Sequence, residues 1–365
     1  MARDLAHKTI LTTMRQTRTI LAALHVEQHL HDIPSLTSQL SARGFALTNH
    51  RLLTKDSCEK VRKRLPRLFR GEFDTKNYPD EWHWREGISK DHAAREICNA
   101  WKSDRTIASV VLDAELGRLV ANVMGWDSVR IAQDDLVWKP PSQQHPNTFT
   151  TTQGREHQEL QRIDAVGFHQ DSAYISNQFD PYESNSVTVW MALDDADEDN
   201  GCVEYAVGSH KWRPLLHFVG GVGTKEEGEI SSFHSADESS YRNNISVAAS
   251  LANFDNPLKI IEAAPVKEGH AIFHHQDVWH GSGPNLSSDR HRRALVGHYI
   301  RGDATFVQCT GNQNGPFGNT GYIYGRYRRY NTVDVDESFF PIIYGRGGGS
   351  SLSRTEWIDD YISQS

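Results

Sequence analysis

Apolar positions in the first third of the chain recur at helical spacing. Asp32-Ile-Pro-Ser offers a helix start and Gly44 a stop, since glycine is favoured just past a helix end. A short apolar run, Phe45-Ala-Leu47, follows. From Asp104 to Met124, Ile107, Val110 and Val111, then Leu112, Leu116, Leu119 and Val123, keep a three-to-four-residue period. That spacing predicts one broken helix or two short ones, packed on a sheet. The pattern changes near Val129. Short runs rich in Val, Ile, Trp, Tyr and Phe now alternate with Gly, Pro, Asn and Asp clusters. Val187–Leu193, Cys202–Val207, His270–His274 and Ala294–Ile300 read as strands.

Helices first and many short strands after predict an α+β fold: a jelly-roll (double-stranded β-helix, cupin-like) core buttressed by N-terminal helices. A single domain is expected. Residues 1–128 would be mainly helical support, 129–305 the jelly-roll core, and 306–365 a C-terminal extension. The sequence contains no internal repeat. Arg346-Gly-Gly-Gly-Ser-Ser reads as a flexible loop, and the acidic run Asp194–Asp199 as a solvated hairpin turn. That run lacks the in-register glycine and terminal bidentate Glu of a calcium loop.

Length and charge narrow the function. The chain has 365 residues, 38% of them hydrophobic, and a formal net charge of −8. A large core is affordable, and nucleic acid is not an expected partner, because no strongly basic block appears. No apolar run reaches the roughly 18 residues of a membrane helix, so no membrane partner is expected. Cys58, Cys98, Cys202 and Cys309 are widely spaced, which speaks against a disulfide framework or a structural zinc site. They fit a reducing, cytoplasmic location. Arg3, Lys8, Arg15 and Arg18 among the first 30 residues admit an organellar targeting segment as the alternative to a surface helix.

Nineteen histidines are many for this length, and their placement matters more than their number. In Val166-Gly-Phe-His169-Gln-Asp171, a strand would project an imidazole and a carboxylate to one face. A lone H-x-D is weak until a distant histidine joins it. His280 opens a Gly-Ser-Gly-Pro-Asn285 turn, and a basic cluster follows up to Arg292-Arg293. Two histidines and one carboxylate leave open metal positions opposite, the arrangement of non-haem iron oxygenases. An arginine downstream of the second histidine suits a chelated dicarboxylate, whose far end it would pair with. His275-Gln-Asp277 repeats the H-x-D pattern and is read as a decoy at a strand end. His274 and His298 are read as structural or supporting histidines on strands.

Together, these pieces resemble the phytanoyl-CoA dioxygenase family of iron(II)/2-oxoglutarate oxygenases. The resemblance rests on Lys139-Pro-Pro141, Phe168-His-Gln-Asp171, Trp190, Asn200-Gly-Cys-Val, Gly208-Ser-His210, His280-Gly-Ser-Gly-Pro-Asn285 and Arg292-Arg-Ala. It implies that His169, Asp171 and His280 hold the metal and that Arg292 pairs with the cosubstrate carboxylate. It also places Ser282 and Trp190 in the cosubstrate pocket. The arginine lies one residue further from His280 than the family pattern has it, so Arg290 or Arg293 could take its role. Strand register favours Arg292.

The resemblance implies iron(II), 2-oxoglutarate and dioxygen, with ascorbate as an optional reductant. The expected activity is hydroxylation of an unactivated C–H bond with release of succinate and CO2. Desaturation or oxidative cyclisation would use the same ligands. A halogenase is disfavoured because Asp171 occupies the position that chloride would need. A non-oxidative cupin-type metal protein would need no Arg292, and a scaffold with a relic site would need none of the four residues. Trp138, Tyr174 and Phe179, and the segment Gly315–Arg329 with its Tyr322, Tyr324 and Tyr327, are candidates to face the substrate. The aromatics and arginines there point to a small molecule with an anionic group.

Overall fold

The computed structural model describes residues 32–142, 165–212, 241–308, 322–329, 331–347 and 352–364, with Leu24 and strand segments 148–150 and 156–158. The candidate targeting segment, Cys309, residues 315–321 and most of the glycine-rich loop lie outside the described residues.

The strands in chain order are β1 (Phe45–Leu47), β2 (Glu81–Trp82), β3 (Arg95–Cys98), β4 (Ser128–Lys139), β5 (Thr148–Thr150), β6 (Glu156–Gln158), β7 (Val166–His169), β8 (Phe179–Asp180), β9 (Ser186–Ala192), β10 (Val203–Ala206), β11 (Ile261–Ala264), β12 (Ala271–His275), β13 (His280–Ser282), β14 (Arg292–Arg301), β15 (Thr305–Phe306) and β16 (Ile342–Gly345). The large sheet runs β1-β12-β9-β14-β4-β3-β2, with β16 also paired to β4. A smaller sheet runs β11-β10-β13-β7. Pairing is antiparallel throughout both.

Strand β9 shows how the sequence builds the layers. Every residue of Ser-Val-Thr-Val-Trp-Met-Ala is buried, because both faces of the sheet are covered. Val187, Val189 and Met191 join Phe273, Leu295 and Tyr299 in a core shared with the helices. Trp190 and Ala192 face the other way and pack with Ile272, Ala294 and Val296 against Val203 and Tyr205 of the smaller sheet. The site lies on this inner face.

The helices Arg105–Val111 and Ala114–Met124 are two, not one broken. Asp104 and Asp113 each cap the helix that follows, and the second cap interrupts the apolar run near Leu112. Gly44 ends the helix Ile33–Arg43 in the left-handed region, with φ +90°. The helix Lys55–Phe69 was not anticipated. Its buried Cys58, Val61, Leu65, Leu68 and Phe69 are interleaved with charges, and Pro66 stands in its last turn. The acidic run corrects a reading. It joins β9 in one sheet to β10 in the other, so it is a crossing between sheets and not a hairpin. Asp194, Asp195 and Asp197 there pair with Arg293, Lys267 and Arg290.

Candidate metal centre and cosubstrate pocket

The smaller sheet sets three side chains abreast. His280 on β13 lies opposite His169 on β7 and, on its other side, opposite Tyr205 on β10. Opposed residues of antiparallel strands share a face, so the three rings point together. The imidazoles of His169 and His280 lie 4.3 Å apart between centroids. Strand β7 ends at His169, and Asp171 opens a 3-10 turn. Gln170 between them is extended, so the i, i+2 projection survives the end of the strand. Asp171 Oδ1 lies 3.6 Å from His169 Nε2 and 3.5 Å from His280 Nε2.

Tautomers fit the cluster for a metal ion. His169 Nδ1 lies 2.9 Å from the Gly167 carbonyl, and His280 Nδ1 lies 3.0 Å from that of Val278. A carbonyl only accepts, so each Nδ1 carries the proton, and in the neutral ring Nε2 is left to present a lone pair. Burial, and then the charge of His274, push His280 down to about 4, which keeps it neutral. Burial alone would raise the Asp171 carboxyl, but the imidazoles of His280, His274 and His298 hold it well below its usual range. Two imidazoles turned inward through Nε2 and one ionised carboxylate form a donor set that suits iron(II).

The larger sheet supplies a second ring of contacts, all on its inner face. Tyr205 hydroxyl lies 2.8 Å from His274 Nδ1, and His274 Nε2 lies 2.9 Å from Asp171 Oδ2. Thr188 Oγ1 donates to the same Oδ2 at 2.5 Å. Its oxygen is 2.9 Å from His298 Nδ1, and His298 Nε2 is 2.7 Å from Asp135 Oδ2. With Thr188 already donating, both ring nitrogens of His298 must donate, which makes it an imidazolium. Burial would lower its pKa, but the bond to Asp135 and the charge of Asp171 raise it overall. Gln133 donates to Asp135 at 2.8 Å, and Tyr324 to Gln133 at 2.9 Å. His274 and His298 therefore support Asp171. Thr188, Tyr205, Asp135 and Gln133 were missed. The available signals were a threonine in an apolar strand and a carboxylate in a buried one.

Arg292 starts β14 fully within the interior and is among the largest fully buried side chains. Its Nε donates to Gly201 O at 2.9 Å, and its Nη2 donates to Ser282 Oγ at 3.0 Å. The guanidinium lies 5.6 Å from the Trp190 ring. Among the described residues no carboxylate pairs with it. Burial lowers its pKa to about 10, which leaves it cationic at neutral pH. Lys139, opposite Arg292 on β4, donates to the same Ser282 Oγ at 2.7 Å. Two buried cations thus meet at one hydroxyl. Arg293 points to the other face and forms a two-toothed pair with Asp194. Arg290 pairs with Asp197.

The remaining candidates separate. His275 and Asp277 lie near each other, 3.8 Å apart, but among the described residues they join no metal-type cluster. Tyr174 stands against the centre, its ring 6.2 Å from His169. Trp138 packs on the helical side with Phe69 and His291, away from the centre. Phe179 is buried among Phe306, Tyr324 and Phe340, so it belongs to a core. The Tyr327 hydroxyl bonds to Asp80. The side chain of Tyr322 is not described.

A jelly roll with this donor set and a buried arginine has the build of a 2-oxoglutarate-dependent non-haem iron oxygenase. The phytanoyl-CoA dioxygenase family model matches residues 41–294, and the chain belongs to that family. A probable alpha-ketoglutarate-dependent hypophosphite dioxygenase of Stutzerimonas stutzeri is 27% identical over 210 residues, covering 56% of this chain and 57% of that protein. The chain thus aligns with little more than half of that relative's length. Among solved structures, the non-heme alpha ketoglutarate dependent epimerase SnoN from nogalamycin biosynthesis is 15% identical, with a TM-score of 0.53 over 86% of this chain and 99% of its own. The carbocyclase SnoK from the same biosynthesis is 18% identical, with a TM-score of 0.52 over 84% and 95%. At such identities the likeness is one of fold.

Proposed function

We propose that the protein oxidises an unactivated C–H bond of a small molecule, with hydroxylation as the outcome, and that His169, Asp171 and His280 hold the iron. The observation that carries this reading is the convergence of two Nε2 lone pairs and the ionised Asp171 Oδ1. Iron(II) bound there supplies, with 2-oxoglutarate and dioxygen, the chemistry that yields succinate, CO2 and an oxidised substrate. The chain's residues bind and orient. Arg292, with Ser282 and Trp190 beside it, receives the far carboxylate of 2-oxoglutarate. The buried network behind Asp171 fixes its carboxylate plane, leaving Oδ1 for the metal.

The anionic substrate group rested on arginines near Tyr322–Tyr327, and the structure engages two of these. Arg326 pairs with Glu81, and Arg329 pairs with Asp336. Support for an anion therefore falls to residues beyond these pairs. Desaturation or cyclisation needs no other ligands, so the position of the substrate decides the outcome.

The test is anaerobic reconstitution with iron(II), followed by 2-oxoglutarate addition and oxygenation. Wild type should bind one iron at this centre and release succinate. His169→Ala and His280→Ala should do neither, and His275→Ala should do both. Loss of iron in His275→Ala with retention in His169→Ala would move the centre to the other H-x-D.

A further inference from the structure

The inner face of the large sheet does not end at Asp135. Cys98 on β3 lies opposite Asp135, and Glu96 lies opposite Val137. Glu81 on β2 lies opposite Cys98 in turn, and the backbone N–H of His83 bonds to the Glu96 carbonyl. Pleat alternation therefore puts Glu81, His83, Glu96 and Cys98 on the same face as Asp135. This is the face that carries His298, Thr188 and the support for Asp171.

Three donors of different chemistry meet there. One ligand atom each from His83, Glu96 and Cys98 lies within 4.8 Å of the other two. Cys98 is buried, Glu96 is half-buried and His83 is exposed, so the cluster is closed behind and open in front. Glu81 Oε2 lies 3.9 Å from His83 Nε2, within reach as a fourth donor. Burial, then the carboxylates of Asp135, Glu96 and Glu81, push the Cys98 thiol well above its usual range. A dication at this point would reverse that balance, because it favours the thiolate and neutralises the carboxylates.

We propose that His83, Glu96 and Cys98 form a second metal site, separate from the His169–Asp171–His280 centre, that takes a borderline-soft divalent ion of the zinc class. A thiolate, an imidazole and a carboxylate suit zinc or cobalt, while an oxygen-seeking ion such as magnesium or calcium gains nothing from sulfur. Binding deprotonates the thiol: the sulfur lone pair forms the metal bond and the proton leaves to solvent. Three protein ligands leave a position for Glu81 or for a ligand arriving from the open side.

Cobalt(II) tests this directly, since a cobalt–thiolate bond gives a near-ultraviolet charge-transfer band that histidine and carboxylate ligands do not. Anaerobic titration of the full chain should show that band, and native mass spectrometry with zinc should show two ions bound. The band should vanish in Cys98→Ser and persist in His169→Ala. His83→Ala, at an exposed position where folding is not at risk, should weaken the band-forming affinity at least tenfold, on the scale of losing a ligand or its support. A wild-type titration with no band would overturn the proposal, as would a band that survives Cys98→Ser or an unchanged affinity in His83→Ala.

Discussion

Arg292 and Arg293 are adjacent in sequence and opposite in direction. Arg292 points inward to Gly201, Ser282 and Trp190, and Arg293 points outward to Asp194. Removing the inner guanidinium from a desolvated pocket strands the carboxylate it would receive. Such losses run at about 2–5 kcal/mol. Arg292→Ala should therefore raise the 2-oxoglutarate dissociation constant roughly 30-fold or more, at ~1.4 kcal/mol per decade. Arg292→Lys should recover only part of this, because a point charge replaces a planar fork. Arg293→Ala should leave cosubstrate affinity near wild type. Titration of the iron-loaded protein, read by its metal-to-ligand absorption band, checks all three. A larger loss in Arg293→Ala than in Arg292→Ala would refute the assignment.

At the scale of elements, the turn that joins the sheets carries part of the pocket. Gly201 has φ +76°, and a Cβ there would lie 2.6 Å from Gly283 O and 2.8 Å from Pro284 O. Left-handed backbone alone costs a side-chain-bearing residue about 1–2 kcal/mol. Gly201→Ala should lower the urea midpoint by at least that equivalent with an unchanged slope. The Gly201 carbonyl also accepts from Arg292 Nε, so 2-oxoglutarate affinity should fall with stability. An unshifted midpoint would contradict the packing described. The sequence made some elements legible and hid others for physical reasons. That His169, Asp171 and His280 could come together was legible because the H-x-D pair and the glycine-rich turn after His280 stand out locally, and the fold does bring the three side chains together. Thr188 was not readable, because a threonine in a buried strand acquires meaning only when register sets it between Asp171 and His298. The helix Lys55–Phe69 was hidden because eight charged side chains crowd its apolar stripe.

At the scale of the molecule, the centre lies where two sheets face each other. His169 and His280 come from the smaller sheet, while His274 and Thr188 brace Asp171 from the larger. A metal ion held there, as proposed, would tie the layers together and bind only the folded chain. Ligand at a hundredfold excess over its dissociation constant adds about 2.7 kcal/mol. Iron(II) with 2-oxoglutarate should raise the melting temperature on the order of 5 °C. His280→Ala should show no such rise, and an equal rise in that variant would place the binding elsewhere.

Arg292 is gripped by a backbone carbonyl and a hydroxyl that itself holds Lys139, so it has little freedom to follow its guest. On the proposed reading, that rigidity turns the pocket into a caliper. One jaw is the metal centre, the other is a cation that cannot slide. Oxaloacetate, one carbon shorter, would leave the buried charge unmatched, and 2-oxoadipate, one carbon longer, would overreach the fixed cation. The protein would thus select its keto acid by length, before any property of the oxidised substrate comes into play.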